Sequence, residues 1–312
     1  MKRITGWVLL LCLVSAMAFA QDRGTFSFLR NEVGARAAGL NGSFVSMTND
    51  PNLIFYNPGA LPTLTQPRAS AGFLKQLLDV NGGYLSFARS VDGIGTVGGG
   101  IIYVDYGSFN ETDESMNILG TFGARDIALV MGVGRPIDEF TSVGVNLKLI
   151  YSSIAEFTSS GLAIDAGILY QIPSENITLG ASVLTLGTQL KSYDGTKESL
   201  PLDVKIGITK RPEHLPVLLN FDFHRLTDKQ DKALDHLSSF SFGAEFLMSE
   251  SVRFRVGYNN QQRKDLKLGT SPGLAGMSLG GGILLGEYVI DYAFNSYGKI
   301  GGLHRISVGM GL

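Results

Sequence analysis

Two stretches of this chain have the letters of a catalytic or cofactor site. Gly269-Thr270-Ser271-Pro272-Gly273 spells the G-x-S-x-G elbow that presents a serine nucleophile, a chemistry suited to removing acyl chains from lipid or lipopolysaccharide. An elbow needs a strand-to-helix turn and a backbone N–H beside the serine. Pro272 has no N–H and the residues after it read as strand, so a turn in a surface loop is expected. Gly93-Ile94-Gly95-Thr96-Val97-Gly98 spells the dinucleotide fingerprint G-x-G-x-x-G, yet the segment from Gly99 to Val104 continues as strand where a phosphate-binding helix should start. The four histidines, His214, His224, His236 and His304, have no metal-ligand spacing. His224, near Asp222, reads as an interior histidine with its hydrogen bonds satisfied. Asp50 and Asn52 lack the spaced oxygens of a calcium loop and read as turn residues in Asn49-Asp50-Pro51-Asn52. No catalytic set, metal site or cofactor is expected.

The charges that remain are Lys148, Asp165, Asp222, Glu245, Arg253, Arg255 and Asp291. They could line a channel, bind a headgroup or pair with other interior groups. Pairing is expected, because a lone charge in a dry interior is costly.

These charges sit on segments that alternate in polarity with a period of two. Val143, Val145, Leu147, Leu149 and Tyr151 oppose Gly144, Asn146, Lys148 and Ser152, and Leu162, Ile164, Ala166 and Ile168 oppose Asp165 and Gly167. Phe242, Ala244 and Phe246 oppose Ser241, Gly243 and Glu245, and Tyr288, Ile290 and Tyr292 oppose Asp291. Ile127, Leu129, Met131 and Val133 oppose Asp126, Ala128, Val130 and Gly132. Roughly fourteen such segments run from Arg68 to Leu312. Short connections are expected near Asp92, Pro136, Pro173, Pro212, Ser249 and Gly286, and long polar ones near Gly107 to Gly123, Lys191 to Pro201, Thr227 to His236 and Gln261 to Gly273. A soluble sandwich would alternate in the same way, but its connection lengths have no reason to alternate. Tyr103, Tyr106, Tyr151, Tyr258 and Tyr292 near the long-loop ends suit an interfacial aromatic girdle. The expected fold is all-β, a 14-stranded antiparallel transmembrane β-barrel with a short N-terminal plug or hatch, in the bacterial outer membrane.

Residues 1–20 carry Lys2 and Arg3, an apolar run from Trp7 to Val14 and the small-residue end Ala18-Phe19-Ala20, the pattern of a signal peptide. The apolar run is short for a membrane anchor, and Cys12 lacks the small neighbours of a lipoprotein site. Cleavage would remove the only Cys and the only Trp, excluding disulfide and thiol chemistry from the mature chain. It would also remove Lys2 and Arg3 from 26 basic residues while leaving all 28 acidic ones, and a mildly acidic chain suggests no nucleic-acid partner. Residues 21–67 alternate poorly and read as the hatch, with Asn57-Pro58-Gly59 as a turn motif, and residues 68–312 read as the barrel.

Several stretches resemble a known family. They are Gly24-Thr25-Phe26-Ser27-Phe28-Leu29, the run from Gly34 to Leu40, Asn57-Pro58, Val104-Asp105-Tyr106-Gly107, the block from Gly144 to Ser153, Gly187-Thr188-Gln189 through Tyr193-Asp194-Gly195-Thr196 to Leu200-Pro201, and Arg255-Val256-Gly257-Tyr258-Asn259. Together they resemble the PorV/PorQ group of type IX secretion outer-membrane proteins, PorQ-like members most of all, a group itself similar to FadL barrels. The resemblance implies a non-enzymatic scaffold of the cell-surface cargo attachment complex. Its partners would be the outer-membrane bilayer and type IX components, including a surface-exposed attachment-complex protein. Two alternatives stand beside it: a FadL-like transporter of hydrophobic small molecules, and a deacylase resting on Ser271. Gly59 replaces the Ala of the FadL-type Asn-Pro-Ala triad, and Leu312 replaces a terminal aromatic; both weaken the transporter inference.

Overall fold

The computed structural model describes residues 25–76, 79–228, 233–266 and 273–312. The leader expected over residues 1–20 and the serine of the elbow-like pattern lie outside them. The wall comprises β1 (Arg68–Lys75), β2 (Asn81–Val91), β3 (Gly95–Thr112), β4 (Ile118–Pro136), β5 (Thr141–Ile154), β6 (Phe157–Ile172) and β7 (Ile177–Lys191). It continues through β8 (Asp203–Lys210), β9 (Val217–Phe223), β10 (Phe240–Leu247), β11 (Val252–Asn259), β12 (Met277–Leu285), β13 (Tyr288–Ser296) and β14 (Gly302–Gly311). Each strand is antiparallel to its sequence neighbours, and β14 pairs with β1 from Arg68↔Gly311 to Lys75↔His304, which closes the barrel. Closure satisfies the backbone groups that hydrocarbon could not.

The period-two pattern decides which side chains face outward. Ile164 is 53 % exposed on the outer face while its neighbour Asp165 is fully buried inside. Leu129, Leu147, Phe254 and Ile290 likewise face out, forming the apolar band that a bilayer requires.

The rims are less regular than the expected rhythm of short and long connections. One rim carries only tight turns, at 92–94, 137–140, 173–176, 211–216, 248–251 and 286–287. At the other rim the chain between successive strands is long at 192–202, 224–239 and 260–276 but short at 76–80, 113–117, 155–156 and 297–301. The polar stretch expected as a loop from Gly107 to Gly123 is instead mostly strand. Ser108 pairs with Gly123 and Phe109 with Phe122, past a register shift after Asp105. The ribbon rises beyond β5, whose pairing with β4 ends at Ala124↔Ile154. Polar composition misled here because a ribbon above the membrane has no apolar face to bury.

The segment before β1 threads the barrel from the loop rim to the turn rim. Leu40, Phe44, Leu53, Ile54 and Leu61 pack against Ala128, Val130 and Leu169 of the wall in one buried cluster. Two Asx caps shape its lower part. Asp50 Oδ1 accepts from Asn52 N at 2.9 Å ahead of the 3-10 turn Pro51–Phe55, and Asn57 Oδ1 accepts from Gly59 N at 3.0 Å ahead of Pro58–Thr63. In both, proline occupies the first helical position, where its missing N–H costs nothing.

Candidate ligand site and the hatch beneath it

Asn57, Pro58 and Gly59 lie against β5 and β6. Asn57 Nδ2 donates to Val45 O at 2.8 Å and to Ile168 O at 3.0 Å, and Ser142 Oγ donates to Gly59 O at 2.6 Å. A Cβ on Gly59 would stand 2.6 Å from Gly167 O and 2.8 Å from Ile168 N, both rigid wall backbone. The departure from Asn-Pro-Ala thus has a local cause: the hatch lies so close to β6 that alanine does not fit.

The seven charges singled out from the sequence all lie on the inner side, six of them in three groups. Lys148 donates to Asp165 Oδ1 at 3.1 Å and to Thr185 Oγ1 at 3.2 Å, while Asp165 also accepts from Thr185 N at 2.7 Å and Asn146 Nδ2 at 3.1 Å. Asp222 Oδ2 accepts from the hatch amides of Phe44 at 2.7 Å and Val45 at 2.9 Å. Glu245 accepts from Arg255 Nε at 2.5 Å and from hatch Arg36 at 2.9 and 3.0 Å, and Arg255 reaches Asp291 at 2.6 Å. Arg253 differs: it is only half-buried, and its guanidinium donates to the carbonyls of Ser249 and Val252 in a rim turn. A cavity of about 410 Å³ at the turn rim, lined by Arg36, Asp50, Arg253, Arg255 and Asp291, opens beneath this cluster.

Several hatch partners escaped sequence reading. Arg36 also meets Asp50 at 3.2 Å, Glu32 meets Arg305 at 3.0 Å, and Arg30 meets Asp228 at 2.6 Å. The only signal was the presence of charge in a segment too poorly patterned to have faces. His224 is buried in the loop after β9, and burial pushes its imidazole down to about 3, with Asp203 opposing and Lys205 and Arg225 reinforcing the shift. It is therefore neutral at ordinary pH.

At the loop rim lies a groove of different character. It has a volume of about 450 Å³ and is lined chiefly by Phe26, Tyr106, Phe109, Phe122 and Tyr193, with Asp126 and Ser152 at its base. Phe109 and Phe122 stack at 5.4 Å across the projecting ribbon. Tyr106, expected in the outer girdle, instead shares the inner parity of Ile102 and Val104, opposite to Tyr103, and donates to Asp126 Oδ2 at 2.7 Å. Ser152 Oγ donates to Asp126 Oδ1, and Tyr193 donates to Ser152.

No family model and no curated protein matches the sequence. Solved structures do. The chain is similar to a FadL homologue of Pseudomonas aeruginosa, with 10 % identity over 94 % of this chain and 99 % of that one, at a TM-score of 0.56. It is also similar to the toluene transporter TodX of Pseudomonas putida, at 14 % identity, 89 % and 97 % coverage and a TM-score of 0.60. A third is the CymD monoaromatic hydrocarbon channel, at 15 %, 90 % and 97 %, with a TM-score of 0.59.

The chain folds as a FadL-type outer-membrane barrel.

Both the groove and the lower cavity lie against hatch residues, Phe26 in the first and Arg36 and Asp50 in the second. The groove offers aromatic faces and one carboxylate, and the lower cavity offers paired charges.

Proposed function

We propose that this protein is a non-enzymatic conduit for small hydrophobic molecules, admitted at the loop rim and passed along the hatch. The observation that carries the proposal is the aromatic groove over the start of the hatch, built from Phe26, Tyr106, Phe109, Phe122 and Tyr193. An open hollow of this size with an apolar lining is suited to capture apolar solutes from water. The likeness of fold to a toluene transporter and a monoaromatic hydrocarbon channel supports it. On the membrane side, an apolar hollow of about 520 Å³ over Phe73, Gly83, Tyr84 and Ile306 backs a small cavity between the same wall residues and hatch residues Val33 and Gly34. The strand ladder there is continuous, so passage requires the hatch to shift. Uptake of radiolabelled ethylbenzene by cells lacking their own hydrophobic channels should rise when the chain is produced and fall with Phe109→Ala plus Phe122→Ala. Equal uptake with and without the chain would end the proposal.

The projecting ribbon favours a second reading, the type IX scaffold suggested by the PorV/PorQ resemblance. Met116, Ile118 and Leu119 are 86 %, 65 % and 66 % exposed at its tip, a surface able to hold a protein partner. Affinity purification from solubilised outer membrane tests it, and a preparation without any secretion component or surface protein would count against it.

A further inference from the structure

The groove at the loop rim has a chemical bias that its apolar lining alone does not reveal. Among the described residues, its only ionisable side chain other than the tyrosines is Asp126, and no described lysine or arginine lines it. Arg125, the nearest cation in sequence, lies on the opposite face of β4, its side chain 66 % exposed, with Nε 3.5 Å from Asp105. Lys148 lies deeper and is held by Asp165 and Thr185. Asp126 is 8 % exposed, and both of its oxygens accept hydrogen bonds from hydroxyls, from Tyr106 and from Ser152. Burial works against the charge of this carboxylate, and the two donors work for it. Each carboxylate oxygen keeps a further lone pair for a donor arriving from the groove. Aromatic faces around such a position attract positive charge and repel negative charge.

We propose that the groove selects small hydrophobic molecules bearing an ammonium or other hydrogen-bond-donating head, with Asp126 as the specificity-determining residue, and that it rejects those bearing a carboxylate. The aromatic walls hold the hydrocarbon part, and Asp126 meets the head. This inference rests on the conduit reading, since it assigns the class of molecule that the same groove admits.

Three probes of one skeleton test it: 2-phenylethylamine, ethylbenzene and 3-phenylpropionate, each measured by equilibrium dialysis against protein-loaded and empty lipid nanodiscs. The amine should bind about tenfold more tightly than the carboxylate, with ethylbenzene between them. Asp126→Asn should bring the amine and the carboxylate together while leaving ethylbenzene unchanged. Ser27→Lys, which places a cation on an exposed position lining the groove and leaves Asp126 intact, should raise carboxylate binding and provides a second route if Asp126→Asn fails to fold. Ethylbenzene binding with the carboxylate equal to or tighter than the amine would overturn the inference and leave the conduit reading standing. Binding of none of the three would overturn both.

Discussion

At the scale of single residues, the closest contact between hatch and wall is where substitution should be most informative. Gly59→Ala puts a methyl group 2.6 Å from Gly167 O, and neither backbone can yield without moving the Asn57 cap. Overpacking of this kind costs about 1 to 3 kcal/mol, and denaturant unfolding in detergent should show that loss. A second expectation concerns pH. His224 is held near 3 in the folded protein and titrates at its ordinary 6.5 when unfolded, so the unfolded state binds the extra proton between those values. Its contribution is fully present above pH 6.5 and is lost as pH falls toward 3. His224→Gln should therefore flatten part of the decline in melting temperature between pH 7 and pH 5, and an unchanged slope would show that His224 is not neutral in place. Asn57 and Pro58 were legible as a turn from residue type alone. The need for glycine at position 59 was not, because it comes from β6, more than a hundred residues away in the chain.

At the scale of elements, alternation along β5, β6, β10 and β13 was readable because each strand divides apolar from polar residues by parity. The consequences of that division differ between the faces. Ile164→Arg would place a charge in hydrocarbon, at a cost of about 2 to 4 kcal/mol near the midplane. On composition alone Asp165→Asn would be milder. With Lys148 buried against Asp165, however, it leaves a cation unpaired and should cost about 3 to 5 kcal/mol. Comparative unfolding of the two variants checks this order. The hatch is fastened to β10 by Arg36 and Glu245, and Glu245→Ala should cost about 1.5 to 3 kcal/mol, with Asp50 and Asp291 retaining the two arginines. Limited proteolysis within the hatch should accelerate in that variant; unchanged cleavage would show that the ion pairs do not fasten it. The partners of this latch were hidden because the hatch has no periodic pattern to reveal which side of it faces which strand. The β3–β4 ribbon was missed for a related reason: its polar sequence carries strand pairing without amphipathicity.

At the scale of the whole molecule, the barrel closes and the hatch fills it, so a conduit must open by moving one against the other. Closure was foreshadowed by the alternating segments and their turn-forming links, since period and strand length are local properties. The groove was not, because Phe26, Phe109, Phe122 and Tyr193 come from the hatch, two strands and a loop that meet only in the fold. Cys12 is the only cysteine of the sequence, so a version produced without residues 1–20 has no thiol of its own and makes an engineered crosslink unambiguous. Ser46 of the hatch and Thr209 of β8 have their hydroxyl oxygens 2.7 Å apart, close enough for a paired Ser46→Cys, Thr209→Cys variant to form a disulfide. The decisive measurement is ethylbenzene uptake by cells producing this variant, oxidised and then reduced. The account predicts that oxidation abolishes the uptake due to the protein and that reduction restores it. Full uptake with the disulfide formed would contradict passage along a moving hatch.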